Sequence, residues 1–151
     1  EMCIRDRYEI SNFARPGHES VHNSSYWKNI EYYGLGAGAH GYIDGVRYAN
    51  QGALKFYIDS MLEKGHARRE ENTVTTKEKI EEEMFLGLRL LKGVDLDIFE
   101  EKYGKRAEEI FKDVIDKNIR EGYLEIEDNK LRLTRKGLFY GNDVFSEFLL
   151  D

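Results

Sequence analysis

Cysteine and proline each occur once in this sequence of 151 residues. A single thiol, Cys3, can form no internal disulfide and cannot hold a metal cluster by itself. This excludes a disulfide-stapled secreted scaffold and a cysteine-ligated site built within these residues. Basic residues are also short: 23 Lys and Arg stand against 29 Asp and Glu, a net charge of −6, which opposes the attraction to phosphate on which nucleic-acid binders rely. No nucleic-acid partner is expected. No apolar run is long enough to cross a bilayer, and the first residues lack the apolar stretch of a signal peptide, so the expected location is the cytoplasm. The four histidines show no His-x-x-x-His spacing, which leaves a histidine metal site without support. What is present, 40% hydrophobic and 34% charged residues, is the composition of a globular chain with exposed helical faces.

Residues 1–7 have no periodicity, end in Arg5-Asp6-Arg7 and read as a leader that does not match the rest of the chain, with a junction before Tyr8. Tyr8 to Ala14 has the composition of a strand and stops at Arg15-Pro16-Gly17, where proline fixes φ and glycine accepts a turn. A lone strand needs neighbours. Downstream of it only a hairpin over Gly41 to Tyr48, turning at Asp44-Gly45, is on offer. Residues 8–51 therefore look like the end of something larger.

From Gly52 the pattern becomes helical. Leu54, Tyr57, Ile58, Met61 and Leu62 have the spacing of one buried helix face, stopped by Gly65. Thr75 or Thr76 can cap a second helix carrying Ile80, Met84, Phe85, Leu88 and Leu91, closed by Gly93. Asp95 opens a third, with Leu96 and Phe99, ending at Gly104. A fourth is expected over Arg106 to Arg120, turning Ile110, Phe111, Val114, Ile115 and Asn118 inward, with Gly122 as its stop. The period then switches to two around a turn at Asp128-Asn129, and Thr134 caps a last helix through Leu138, Phe139, Val144, Phe145, Phe148 and Leu149. The runs Glu81-Glu82-Glu83 and Glu100-Glu101-Lys102 read as solvated faces. These patterns predict an α+β, mostly helical fold in which residues 52–151 form a helical domain with a winged-helix-like end.

Chemistry-bearing residues concentrate in His22-Asn23-Ser24-Ser25-Tyr26-Trp27 and in Gly34-Leu35-Gly36-Ala37-Gly38-Ala39-His40. Neutral imidazole is a good ligand for haem iron, and aromatic rings beside it would cover a flat macrocycle. From the residues alone, His22 reads first as a surface histidine in a polar, turn-prone segment beside a structural Tyr26–Trp27 pair. Gly36 to Gly41 matches G-x-G-x-x-G, but Tyr42-Ile43-Asp44-Gly45 stands where a dinucleotide site needs a helix, so a Rossmann site is rejected. Small residues there still allow close backbone approach. His40 can serve as a ligand, a base or a hydrogen-bonding group, and no neighbouring carboxylate or serine makes a triad.

Tyr8 to Gly17, His22-Asn23-x-x-Tyr26-Trp27 and Gly34 to His40 closely resemble motifs of the oxygen-independent coproporphyrinogen III oxidase-like radical SAM family, in the same order and spacing. The resemblance covers Tyr8 to Asp151, and the His-Asn-x-x-Tyr-Trp form resembles the haem-chaperone branch. It implies that residues 8–51 are the end of a radical SAM partial (β/α) barrel and that residues 52–151 are the helical C-terminal domain. It also implies haem as cargo, with His22 on the iron and Asn23, Tyr26 and Trp27 shaping the site. Gly36, Gly38, Ala39 and His40 would border S-adenosylmethionine. The family's 4Fe-4S cluster motif is absent from this chain, so cluster and S-adenosylmethionine belong to a full-length parent, and this chain alone cannot do radical chemistry. The implied partners are haem, upstream barrel residues, and a haem-accepting protein such as one at a membrane surface. Two alternatives accompany this reading. One is a fragment of a coproporphyrinogen III oxidase of porphyrin biosynthesis. The other is a standalone winged-helix interaction module over residues 74–151, whose mixed charges on Arg106 to Arg120 make a poor phosphate-binding surface.

Overall fold

Two turns with paired positive φ values organise the β-structure. Asp44 and Gly45 (φ 51° and 72°) and Asp128 and Asn129 (φ 49° and 59°) both form the left-handed two-residue turn whose twist matches antiparallel strands. Both hairpins lie where the sequence predicts them. The structure, a computed structural model, describes residues 5–150; Cys3 and most of the leader lie outside the described residues.

In chain order the elements are β1 (Asp6–Arg7), β2 (Phe13–Ala14), α1 (Val21–Trp27), β3 (His40–Ile43), β4 (Val46–Asn50), α2 (Leu54–Lys64) and β5 (Arg68–Thr73). They continue with α3 (Thr76–Gly87), β6 (Val94–Asp95), α4 (Leu96–Tyr103), α5 (Ala107–Ile110), α6 (Lys112–Arg120), β7 (Leu124–Glu127), β8 (Lys130–Leu133), a 3-10 turn (Gly137–Phe139) and α7 (Gly141–Ser146). The fold is mixed α+β, with no closed barrel among the described residues. No helix among them is long and apolar enough to cross a membrane. The chain divides into two compact units, one made of residues up to Asn29 together with Lys79 onward, the other of Ile30–Glu78.

The first unit is built around α3, β6, α4, α5, α6 and the β7–β8 hairpin. The short β6 joins the hairpin in an antiparallel sheet of order β6-β8-β7. Helix, strand, three helical segments and hairpin in this order give the winged-helix-like end. Its core packs Met84, Leu88, Phe99, Phe111, Ile115, Leu131, Val144 and Phe148, with the Phe111 and Phe148 rings edge to face at 5.2 Å.

The expected helix over Arg106 to Arg120 is broken at Phe111 (φ −111°, ψ 29°). Leaving helical geometry there sends Phe111 into the core while Ala107 and Ile115, on either side of the break, are both buried. The expected last helix is likewise split. Gly137 sits so close to the Tyr123 carbonyl that a Cβ would collide with it, a 3-10 turn begins there, and Phe139 and Leu149 are exposed. The solvated reading of the glutamate run is corrected too. Glu81 is buried and accepts the Leu150 amide at 2.7 Å, and Glu83 accepts from Lys102 (2.6 Å) and the Tyr103 hydroxyl (3.2 Å).

The second unit is the antiparallel sheet β3-β4-β5 with α2. β5, Arg-Arg-Glu-Glu-Asn-Thr, carries no apolar alternation and goes unseen in the sequence. It is an edge strand exposed along its length, where charge protects unpaired backbone. α2 forms as predicted and ends at Gly65 in the left-handed conformation (φ 73°). The expected burial of its apolar face does not occur: Leu54, Ile58 and Leu62 are 65%, 46% and 82% exposed. Periodicity reports that a face is apolar and carries no information about what covers it.

Candidate functional site

Ser20 is the reason the His-Asn-x-x-Tyr-Trp segment is a helix and not the expected turn. Its side chain accepts the Asn23 amide at 3.2 Å and caps α1. Four-residue spacing then divides the motif into two faces. His22 and Tyr26 form one, with His22 exposed, its Nε2 2.7 Å from the Tyr26 hydroxyl and the two rings edge to face at 4.8 Å. Asn23 and Trp27 form the other, which faces the body of the first unit.

Anchoring comes from two distant segments. Asn23 donates through Nδ2 to the Tyr8 hydroxyl at 3.0 Å, and the Arg89 guanidinium lies 4.3 Å from the centre of the Trp27 ring. Tyr8 and Arg89 are themselves joined. The Ile10 amide donates to the Arg89 carbonyl and the Leu91 amide to the Tyr8 carbonyl, both at 3.1 Å, bracketing a bridge between Glu9 and Leu90. Glu9 has no exposed surface. Its Oε1 accepts the Ser11 amide (2.7 Å) and Asn12 Nδ2 (2.5 Å), and its Oε2 faces Arg89 at 3.8 Å. The seven-residue strand expected over Tyr8 to Ala14 is therefore a tight loop folded around the Glu9 carboxylate, with only Phe13–Ala14 extended and paired with Asp6–Arg7. The Trp27 indole N–H is buried without a hydrogen-bond partner.

An imidazole and a phenol together on a solvent-facing helix face are residue types that suit a site for haem iron. The small cleft behind α1, about 130 Å³ between Tyr8, Glu19, Ser24, Lys28, Leu90 and Lys92, is too small for a macrocycle. At its rim the Glu19 carboxyl is held below the usual carboxylate range by backbone hydrogen bonds from its own amide and that of Gly17, helped by Lys92 and His18. A 4Fe-4S cluster does not fit, since one cysteine cannot supply three thiolates. Among the described residues no group of three His, Cys, Asp or Glu side chains could hold a metal ion.

The glycine-rich segment lies in the second unit. Asn50, buried at the end of β4, donates through Nδ2 to the carbonyls of Gly34 (3.0 Å) and Gly36 (2.9 Å), and the Tyr48 hydroxyl accepts the Gly34 amide at 2.9 Å. A Cβ on Gly34 would strike the His40 carbonyl, so the close approach requires glycine. The loop delivers the chain into β3 and not into a helix, which removes the phosphate-binding helix terminus of a dinucleotide site. His40 lines an open cleft of about 410 Å³ with Tyr32, Arg47, Tyr48, Glu70 and Asn72. His22, Asn23, Tyr26 and Trp27 are thus brought together on one helix, while Gly36, Gly38, Ala39 and His40 come together in the other unit. Glu9, Arg89, Tyr48 and Asn50, which hold these two groups, escape sequence reasoning because their partners are remote in the chain.

A family model described as the HemN C-terminal domain matches residues 74–140. Among curated proteins the chain is 49% identical over 143 residues to the Heme chaperone HemW of Bacillus subtilis (strain 168), covering 95% of this chain and 38% of that protein. Nearly the whole chain is thus similar to a heme chaperone, and residues 74–140 match the HemN C-terminal domain. A second relative, the Heme chaperone HemW of Lactococcus lactis subsp. lactis (strain IL1403), is 44% identical over 147 residues, covering 97% of this chain and 38% of its own. The solved structure of coproporphyrinogen III oxidase (HemN) from Escherichia coli, a radical SAM enzyme, matches with a TM-score of 0.72. It covers 95% of this chain and 37% of that one at 18% identity, a likeness of fold. The chain thus spans about 38% of the length of the curated relatives it matches. Arg89 lies inside the HemN C-terminal domain, whereas Trp27, the ring it covers, lies outside it.

Proposed function

We propose that this chain is the haem-handling part of a cytoplasmic haem chaperone, carrying haem as cargo on α1 and passing it to an acceptor protein, such as one at a membrane surface. The observation that carries this reading is the division of the motif: Asn23 and Trp27 are tied to the body of the unit, while His22 and Tyr26 stand on the outward face. His22 supplies the imidazole to the iron, Tyr26 flanks it, and Asn23 and Trp27 fix the helix that presents them. Similarity to two proteins named as heme chaperones supports the choice of cargo. Gly36, Gly38, Ala39 and His40 are proposed to border S-adenosylmethionine in a full-length protein, where residues outside this chain would hold the 4Fe-4S cluster.

Haem titration followed at the Soret band tests the assignment. His22→Ala is expected to abolish the red-shifted band of a histidine-ligated haem. An unchanged titration in that variant removes His22 from the site.

A further inference from the structure

The histidine that presents itself to a ligand is already engaged, and the nitrogen engaged is the one a macrocycle would use. A neutral imidazole has one lone pair for a metal, on Nδ1 or on Nε2. Nδ1 adjoins the ring carbon that carries Cβ, so a macrocycle lying across a bond to it would run into the turns of α1 itself. Nε2 is at the far end of the ring and clears the helix. Nε2 is also the atom that sits 2.7 Å from the Tyr26 hydroxyl, one helical turn away, with the two rings inclined at 72°.

We propose that Tyr26 is a latch on the ligand nitrogen of His22: its hydroxyl must leave Nε2 for iron to bind there and returns to Nε2 when haem departs. The proposal rests on the reading of His22 as the haem ligand and adds a role for Tyr26 opposed to that of a stabilising neighbour. The pair is near solvent, so breaking it costs about what a single intramolecular hydrogen bond contributes, which corresponds to roughly a two- to tenfold loss of haem affinity. A carrier that must surrender its cargo gains from such a competitor, because the phenol closes the site behind the departing iron.

The test compares wild type, Tyr26→Phe, Tyr26→Leu, His22→Ala and the double variant His22→Ala/Tyr26→Phe by haem titration and by transfer to apomyoglobin. Removal of the hydroxyl is expected to tighten binding about two- to tenfold and to slow transfer, in both the Phe and the Leu variant, while both variants lacking His22 fail to bind. Histidine 15N spectra provide a haem-independent readout, in which Tyr26→Phe is expected to move the His22 Nε2 resonance. Binding that is equal or weaker in the Tyr26 variants, with His22→Ala inactive, overturns the latch and leaves His22 as the ligand, as does an unmoved Nε2 resonance. Haem binding that survives His22→Ala, or is absent from wild type, overturns both.

Discussion

At Glu9 a carboxylate without solvent exposure faces a guanidinium 3.8 Å away, and that guanidinium also covers the face of Trp27. Removing Arg89 strands a buried charge and uncovers the ring in one step. Arg89→Met is expected to destabilise the chain by roughly 3 kcal/mol, toward the lower end for breaking a buried pair because Arg89 retains some solvent contact. Adding Glu9→Gln should recover part of the loss, since the stranded charge disappears. Trp27 is the single tryptophan, so its fluorescence reports on this site, and a urea titration of the four members of the cycle checks the prediction. The outward half of the site was legible as a motif because its residues are neighbours in the chain. Glu9 and Arg89 were not, because a carboxylate in a strand-like stretch and an arginine in an amphipathic one each look ordinary until the chain brings them together.

Among the elements, α3 has the best-defined beginning. Thr75 and Glu78 cap it reciprocally: Glu78 Oε2 accepts from the Thr75 amide (2.7 Å) and hydroxyl (2.8 Å), and Thr75 Oγ1 accepts the Glu78 amide (3.2 Å). Thr75→Ala should cost about 1 kcal/mol in a denaturant titration. The two bonds that the carboxylate accepts, the backbone one first, hold the Glu78 carboxyl below its ordinary range. A carboxylate with a depressed folded pKa contributes its stability above the unfolded value and loses it as pH falls through the folded one. Glu78→Gln is therefore expected to melt below wild type at neutral pH, with the two melting temperatures converging in acid once the wild-type carboxyl is protonated. An undiminished difference in acid would count against this cap. The start of α3, both hairpins and the stops at Gly65 and Gly104 were readable because local signals decide them, whereas α3 ends at Gly87, ahead of the stop expected at Gly93, with Leu88 and Leu91 outside the helix. The break at Phe111 and the edge strand β5 were not, since one answers to a core formed by remote residues and the other to pairing with β4.

For the whole molecule, stability should be uneven between the two units. The first buries a large aromatic and aliphatic core, whereas α2 in the second buries none of its residues. Hydrogen exchange should find the slowest amides in α4 and α6 and rapid exchange along α2. Equal protection in α2 and α6 would contradict that ranking. The first unit is also discontinuous in the chain, with α1 before the second unit and Arg89 after it. During synthesis the motif helix therefore leaves the ribosome about sixty residues ahead of the arginine that holds it, a delay of several seconds at roughly 5–20 residues per second. For that interval the helix is a short peptide of seven residues that has the upstream Tyr8 hydroxyl within reach but lacks Arg89 over Trp27. A nascent chain acquires the anchored face of α1, the helix proposed to present haem, only after the HemN-type domain has begun to emerge, so completion of that surface is timed by translation itself.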